Sequence, residues 1–339
     1  MTHATTVSSV PLPTFIQVEP VGQCNLSCVM CPVDLSTDGP GEGRPAFMAF
    51  EQFTQIMEQF PALEQLHLQG LGEPMMHPRF FDMVSYAACR GVRVGCNSNL
   101  TLLSQGRAER CVTSGLRELN VSLDAATAET YESIRKGARF TRVIGNILRV
   151  QAARQREGSS TPAVTITTVV MRRNLRELPD VVYLAHCLSI DSVFVQHLGQ
   201  DFTEGSLPET YVPFKAFVRE ESLLTMDPAL VEGCFGEARD AAEEYGIKLR
   251  LPRLREVDRP VGSGRRCDWP WKAAYITYRG DAVPCCMIAT PDRYCFGNVL
   301  AQGVERVWNG PPADSFRRRL DSNQPPDICA ACAVYRGVF

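Results

Sequence analysis

No stretch of this sequence approaches the ~20 consecutive apolar residues that a membrane span needs. The first residues, MTHATTVSSVPLP, lack a basic patch followed by an apolar core, so they do not read as a secretory signal. An excess of one charge is missing too. Lys and Arg number 35 against 38 Asp and Glu, a formal net charge of −3, which gives no electrostatic case for nucleic acid or an anionic membrane as partner. With no export signal, a reducing cytosol is the expected location, where cysteines serve metals and cores rather than disulfides.

Cysteine is what the chain has in plenty, with fourteen in 339 residues. Such a length suits one large α/β domain plus a small appendage. Three thiols, Cys24, Cys28 and Cys31, form a C-x3-C-x2-C triplet just after a short apolar run (Phe15, Ile16, Val18) that reads as a strand. On a loop leaving a strand they can point at one soft metal centre, and an iron–sulfur cluster is the natural occupant. A cubane needs four ligands, so three would leave one iron open to a substrate or cosubstrate. The alternatives are a zinc site or unrelated buried thiols. Zinc usually takes paired C-x2-C knuckles, and no fourth ligand lies near this triplet. A second group, Cys267, Cys285 and the C-x2-C pair Cys329 and Cys332, gives four thiols near the C-terminus. Gly280 marks a hairpin that could bring Cys267 near Cys285, and the set would satisfy either a zinc or a second cubane. Cys89, Cys96, Cys111, Cys187 and Cys234 are read as core residues, Cys286 and Cys295 as spare thiols beside the second group.

Between the two groups, strand and helix patterns alternate. Helical spacing marks 50–60, 78–90, 103–114 (closed by Gly115), 127–135, 141–157 and 175–188, and strand patterns mark 63–69, 92–96, 119–123, 164–171 and 192–198. Such alternation predicts a parallel sheet with helical crossovers, six βα units counting the first strand. Residues 36–45 read as a flexible loop and 200–260 as a less regular connector closing one side of the sheet, with a helix at 230–245 and a short strand at 247–251. From Arg265 the texture becomes that of a small metal-stapled domain. Ligands in parallel α/β folds bind beyond the C-terminal strand ends. There stand the Cys triplet, Gly72-Glu73-Pro74, Asn97-Ser98-Asn99, Ser122 with Asp124, Met171-Arg172 and Gln196-His197-Leu198. His67 and His197 are read as structural.

The Cys triplet followed by Gly72-Glu73-Pro74 resembles the radical S-adenosylmethionine (SAM) superfamily. The C-terminal pattern, with C-x-x-P-W from Cys267, G-D-A-V-P-C-C from Gly280 and the closing C-x2-C, resembles its SPASM/Twitch subgroup. The resemblance implies a partial (β/α)6 TIM-like barrel followed by a small Cys-rich domain. The expected divisions are a disordered leader at 1–13, the barrel at 14–205, a connector at 206–262 and the auxiliary-cluster domain at 263–339. It implies a 4Fe–4S cluster on Cys24, Cys28 and Cys31 with SAM on the open iron, and one auxiliary 4Fe–4S cluster on Cys267, Cys285, Cys329 and Cys332. Gly72, Glu73 and Pro74 would receive the methionine ammonium of SAM. Asn97, Ser122 and Asp124 would suit its polar parts, the ribose above all. Arg135 would fork to its carboxylate, and Met30 and Leu198 would contact adenine.

The implied chemistry is reductive cleavage of SAM to a 5′-deoxyadenosyl radical that takes hydrogen from a substrate C–H, with the electron from a donor such as flavodoxin or ferredoxin. An auxiliary cluster would accept an electron to make a dehydrogenation; a thiol, Cys286, Cys295 or Cys96, would return hydrogen to make an epimerisation. Peptide-modifying relatives often carry an N-terminal leader-binding module, and only a short leader precedes the first strand here. The expected substrate is therefore a carbohydrate-like or aminocyclitol small molecule. The runner-up is a peptide maturase with a separate recognition chain, and a third reading is a non-catalytic metal-binding scaffold.

Overall fold

Strands of a parallel sheet usually read as continuous apolar runs because helices cover both faces. Here they alternate, and the computed structural model shows why. It describes residues 9–35, 46–198, 202, 205, 207–256, 265–322 and 324–339. The expected loop at 36–45 and residues 1–8 of the expected leader lie outside the described residues.

Among the described residues, one sheet organises the chain. Its strands are β1 (Phe15–Val18), β2 (Gln65–Leu68), β3 (Arg93–Ser98), β4 (Leu116–Ser122), β5 (Ala163–Val170), β6 (Ser192–His197), β7 (Lys248–Arg250), β8 (Ala273–Ile276), β9 (Asp281–Val283) and β10 (Gly297–Asn298). Their order is β10-β9-β8-β1-β2-β3-β4-β5-β6-β7. From β8 to β7 every neighbouring pair is parallel, and β9 and β10 add antiparallel. The crossovers use α1 (Phe50–Glu58), α2 (Phe80–Ala88), α3 (Gln105–Thr113), α4 (Ala128–Ile134), α5 (Phe140–Arg156) and α6 (Leu178–Cys187). The β1–β6 core is the expected (β/α)6 barrel.

Local chemistry sets the element ends. Ser104 caps α3 by accepting from Arg107 N at 3.3 Å, and Gly115 ends it at φ +92°. Along the strands, one set of alternate residues (Ile16, Leu66, Leu68, Val94, Val121, Ile166) is fully buried against the helices. Each such side chain stabilises the fold by about 1.5–3 kcal/mol. The other set lines an interior that is polar. His67 Nε2 and Asn120 Nδ2 both meet Asn97 Oδ1 at 2.9 Å, and Gln17 Nε2 donates to Gln69 O at 3.1 Å.

Three details go beyond the expectations. The 200–260 connector contains α7 (Val212–Glu221) as well as α8 (Pro228–Tyr245), and it delivers β7 to the sheet edge. The segment expected as the small Cys-rich domain also sends β8 into the barrel sheet, in register with β1. Residues 9–13, expected in a disordered leader, are docked: Val10 N donates to Asn309 Oδ1 at 2.8 Å and Trp308 Nε1 to Pro11 O at 2.9 Å. Backbone donors and acceptors that find partners in a folded neighbour no longer need water, so the segment is held.

Candidate active site and metal centres

The loop after β1 folds back so that Ser27–Cys28 pair antiparallel with Arg135–Lys136, directly after α4. Cys31 N then donates to Cys28 O at 3.0 Å, a tight turn that keeps the last two thiols on one side. Cys24, Cys28 and Cys31 share the wall of a cavity of about 240 Å³ at the C-terminal strand ends. Burial pushes the Cys24 thiol up to about 11 and Cys31 to about 12. Cys28 is also pushed up by burial, with the Arg135 charge opposing. Without a metal these thiols are protonated at neutral pH, so loading a metal group releases protons.

Two donors reach the sulfurs. Arg135 Nη1 donates to Cys28 Sγ at 3.8 Å and Asn99 Nδ2 to Cys24 Sγ at 3.7 Å. Both contacts favour thiolate. The donor set on this wall, three cysteine thiols, is that of an iron–sulfur cluster with one iron left open.

The turn after β2 forms the next wall. A Cβ on Gly72 would lie 2.0 Å from Val21 O and 2.5 Å from Gln23 O, so only glycine lets this turn lie against the cluster loop. Glu73 is buried, and its carboxylate accepts from Met75 N (3.0 Å), Ser98 Oγ (2.7 Å) and Asn99 N (2.8 Å). Burial raises its pKa while these three donors oppose the rise. They occupy roughly three of its ~four lone-pair sites, so Glu73 braces the turn to the end of β3.

Of the residues expected to contact SAM, Met30, Gly72, Glu73, Pro74, Asn97, Ser122 and Arg135 line this cavity. Asp124 does not. It lies 1 % exposed, forms an ion pair with Arg135 Nε at 2.6 Å and accepts from Val169 N at 2.8 Å. The nearby guanidinium and a strand N–H claim both carboxylate oxygens, so Asp124 positions Arg135. Burial works against the Arg135 charge, but Asp124, then Cys28 and Tyr131, outweigh it and push its pKa up. Leu198 also lies elsewhere, on a second cavity. Met171 and Arg172 are drawn away, Arg172 by bonds from N to Glu221 O and from Nε to Glu220 O on α7. The sequence reading missed Gln69, Thr167 and Val169 on the wall. Inward alternation along β5 was the signal that could have found Thr167 and Val169. His67 bonds Asn97 and His197 bonds Arg253 O at 2.8 Å, the structural roles expected of them.

The second cavity, about 140 Å³, adjoins the first across Met30, Pro32 and Leu71. Its far wall includes Cys286. Behind Cys286 the C-terminal thiols gather: Cys285 feels Cys286, Cys332 and Cys329, and Cys267 feels Cys332. Burial, more than these neighbours, pushes Cys267 up to about 11 and Cys286 to about 12. Cys295 lies on the wall of neither cavity, and its Sγ donates to Gly297 O at 3.8 Å. Cys96 is fully buried on the helix-facing side of β3. A larger groove of about 1000 Å³, beside Pro228 and Leu249, contains no cysteine.

Residues 18–185 match the Radical SAM superfamily, and residues 267–333 match SPASM, an iron–sulfur cluster-binding domain. The chain is a radical SAM enzyme with a C-terminal SPASM domain. Its cofactors are a 4Fe–4S cluster and SAM, with auxiliary iron–sulfur in the SPASM domain. This radical SAM chain is 26% identical over 340 residues to a tungsten-containing aldehyde ferredoxin oxidoreductase cofactor-modifying protein of Pyrococcus furiosus, covering 94% of the chain and 87% of that protein. It is 26% identical to mycofactocin maturase MftC of Mycobacterium ulcerans (92% and 78% covered) and 26% identical to the PqqA peptide cyclase of Gluconobacter oxydans (94% and 82%). Its fold superposes on Streptococcus suis SuiB bound to precursor peptide SuiA with a TM-score of 0.68 at 14% identity, covering 96% of this chain and 71% of that one.

These relatives overturn the expected small-molecule substrate, carbohydrate-like or aminocyclitol, because a maturase and a peptide cyclase stand among them. That expectation rested on where the chain begins, and the start of a chain does not decide what enters its barrel. Among the described residues no helix is long and apolar enough to cross a membrane.

Proposed function

We propose that this radical SAM enzyme modifies a peptide at an unactivated C–H. The observation that carries the reading is the joining of the thiol-lined polar cavity to an apolar one that ends at the SPASM thiols. A substrate lying across that junction meets both metal centres. The maturase and peptide cyclase among the relatives favour a peptide as that substrate.

When bound, the reduced cluster and SAM supply a carbon radical able to take hydrogen from carbon. The chain does the rest. Cys24, Cys28 and Cys31 hold the cluster and leave one iron for SAM. Main-chain carbonyls of the Gly72-Glu73-Pro74 turn accept the methionine ammonium while Glu73 holds the turn in shape. Arg135, fixed by Asp124, offers its remaining N–H groups to the methionine carboxylate. Asn97 and Ser122 would serve the ribose, and Met30 would contact the adenine. Cys267, Cys285, Cys329 and Cys332 hold the auxiliary cluster. Of the two spare thiols, Cys286 is the one on a cavity wall, and it serves as the hydrogen donor if the substrate radical is quenched rather than oxidised. The electron comes from a flavodoxin- or ferredoxin-like donor, in a reducing cytosol.

The test uses reconstituted enzyme under anaerobic conditions with SAM, dithionite and extracts of deuterium-grown cells, separated into peptide and small-metabolite fractions. Deuterium appearing in 5′-deoxyadenosine from the peptide fraction is the expected result. Deuterium only from small metabolites would refute the peptide reading, and no 5′-deoxyadenosine would refute the radical assignment of the site.

A further inference from the structure

The 140 Å³ cavity is unlike its neighbour. One small apolar cluster, built on Leu198, Phe202, Tyr211, Phe214 and Val218, forms one side, and a second, built on Tyr275, Val283 and Ala289 with Cys286 packed on it, forms the other. Both stand apart from the main core. An apolar cavity of ~150 Å³ is the size that holds a benzene ring. The walls suit such a guest for reasons beyond size. Phe202 and Tyr211 stack at 5.8 Å, Phe202 and Phe214 meet edge-on at 5.2 Å, and Met30, Met287 and Cys286 bring sulfur to the same space. Rings favour offset or edge contacts with other rings, and sulfur about 5 Å from a ring is favourable too.

We infer that this cavity is the side-chain pocket of the substrate and that it takes one aromatic ring of the peptide, next to the carbon that the radical attacks. The inference rests on the peptide reading only for the identity of the chain that carries the ring. Across Met30, Pro32 and Leu71 the backbone bearing that ring enters the polar cavity, where Thr167 and Gln196 can meet peptide groups that the apolar pocket would leave unpaired. The ring therefore fixes which residue of the peptide faces SAM. Its far edge touches the Cys286 wall, so the same pocket sets the reach from substrate to the SPASM thiols. The volume of about 140 Å³ matches a single ring, which makes a single ring the guest that fills the pocket best.

The experiment measures binding of p-cresol, isoamyl alcohol and 2-naphthol to the SAM-loaded, reconstituted enzyme by titration under anaerobic conditions. Val218 touches the pocket from α7 and lines no part of the SAM cavity. Expected are binding of p-cresol in preference to the other two, a loss of about tenfold or more in Val218→Phe, and a shift of preference towards 2-naphthol in Val218→Ala. Full iron and sulfide content shows that each variant is folded and loaded. No binding of p-cresol by wild type, equal or tighter binding of isoamyl alcohol, or p-cresol affinity untouched by Val218→Phe would each overturn the inference. SAM cleavage is assayed on the same preparations. Ring binding without cleavage would sink the radical peptide reading and leave the pocket standing.

Discussion

Replacing Asp124 by Asn separates charge from shape at the heart of the site. Asn keeps an acceptor for Val169 N, which now bonds Asp124 Oδ1 at 2.8 Å, and removes only the charge facing Arg135 at 2.6 Å. Arg135 is 8% exposed and Asp124 1%. Breaking a buried ion pair by removing one partner costs about 3–5 kcal/mol because the other charge is left uncompensated. Arg135 borders a cavity that water can enter, so the low end, about 3 kcal/mol, is the expectation for Asp124→Asn. Arg135→Met removes the stranded charge, and the double variant should recover at least about 2 kcal/mol relative to the sum of the single changes. The assay is anaerobic urea unfolding of the reconstituted proteins, with SAM affinity measured beside it. Asp124→Asn should keep its iron yet bind SAM more weakly, since Arg135 loses its anchor. A stability change below about 1 kcal/mol, or strictly additive effects of the two substitutions, would refute the positioning role.

The two thiol groups separate by substitution. Cys28→Ala should lower iron from about eight to about four per chain and abolish 5′-deoxyadenosine, whereas Cys332→Ala should lose a similar amount of iron and keep SAM cleavage. Retained cleavage in Cys28→Ala would contradict the site. Gly72→Ala puts a methyl 2.0 Å from Val21 O and 2.5 Å from Gln23 O, both main-chain atoms, so the turn must move. SAM affinity should fall more than tenfold while far-ultraviolet circular dichroism stays unchanged. Burial holds the pKa of His77 and of His197 below the ordinary range, and His77 is fixed in its neutral form by donating to Met48 O at 2.8 Å and accepting from Arg79 N at 3.0 Å. The unfolded chain binds these protons first, so stability is complete above about pH 6.5 and falls below it, by at most ~1.4 kcal/mol per unit and per histidine. Urea midpoints between pH 8 and 5.5 (a range of about 2.5 units around that pKa) check the direction.

Spacing along the chain was enough for what is local. The triplet Cys24, Cys28 and Cys31 identified a cluster loop because three thiols so close on one turn can address one soft centre. The alternation in β2 and β4 showed strands with one apolar and one polar face, and the Gly72 turn sits where the sequence placed it, under a contact only glycine permits. Repetition of strand and helix was sufficient for the (β/α)6 core.

Only tertiary structure could decide which partner claims a side chain when several compete. Asp124 and Arg135 each read as a ligand group for SAM. Folded together, opposite charges in a place shielded from water pair with one another, and only Arg135 remains on the cavity wall. Leu198 and Cys286 come from distant stretches and line opposite sides of one apolar cavity, whereas Cys295, nine residues from Cys286 in sequence, turns to the carbonyl of Gly297. The pairing of β8 with β1 joins the two ends of the chain in one sheet. Residue type and period specify what a side chain can do and which face it takes. Which groups share a face is set by closure of the sheet, since contacts distant in sequence form only when the loop entropy between them is offset by burial of the whole core.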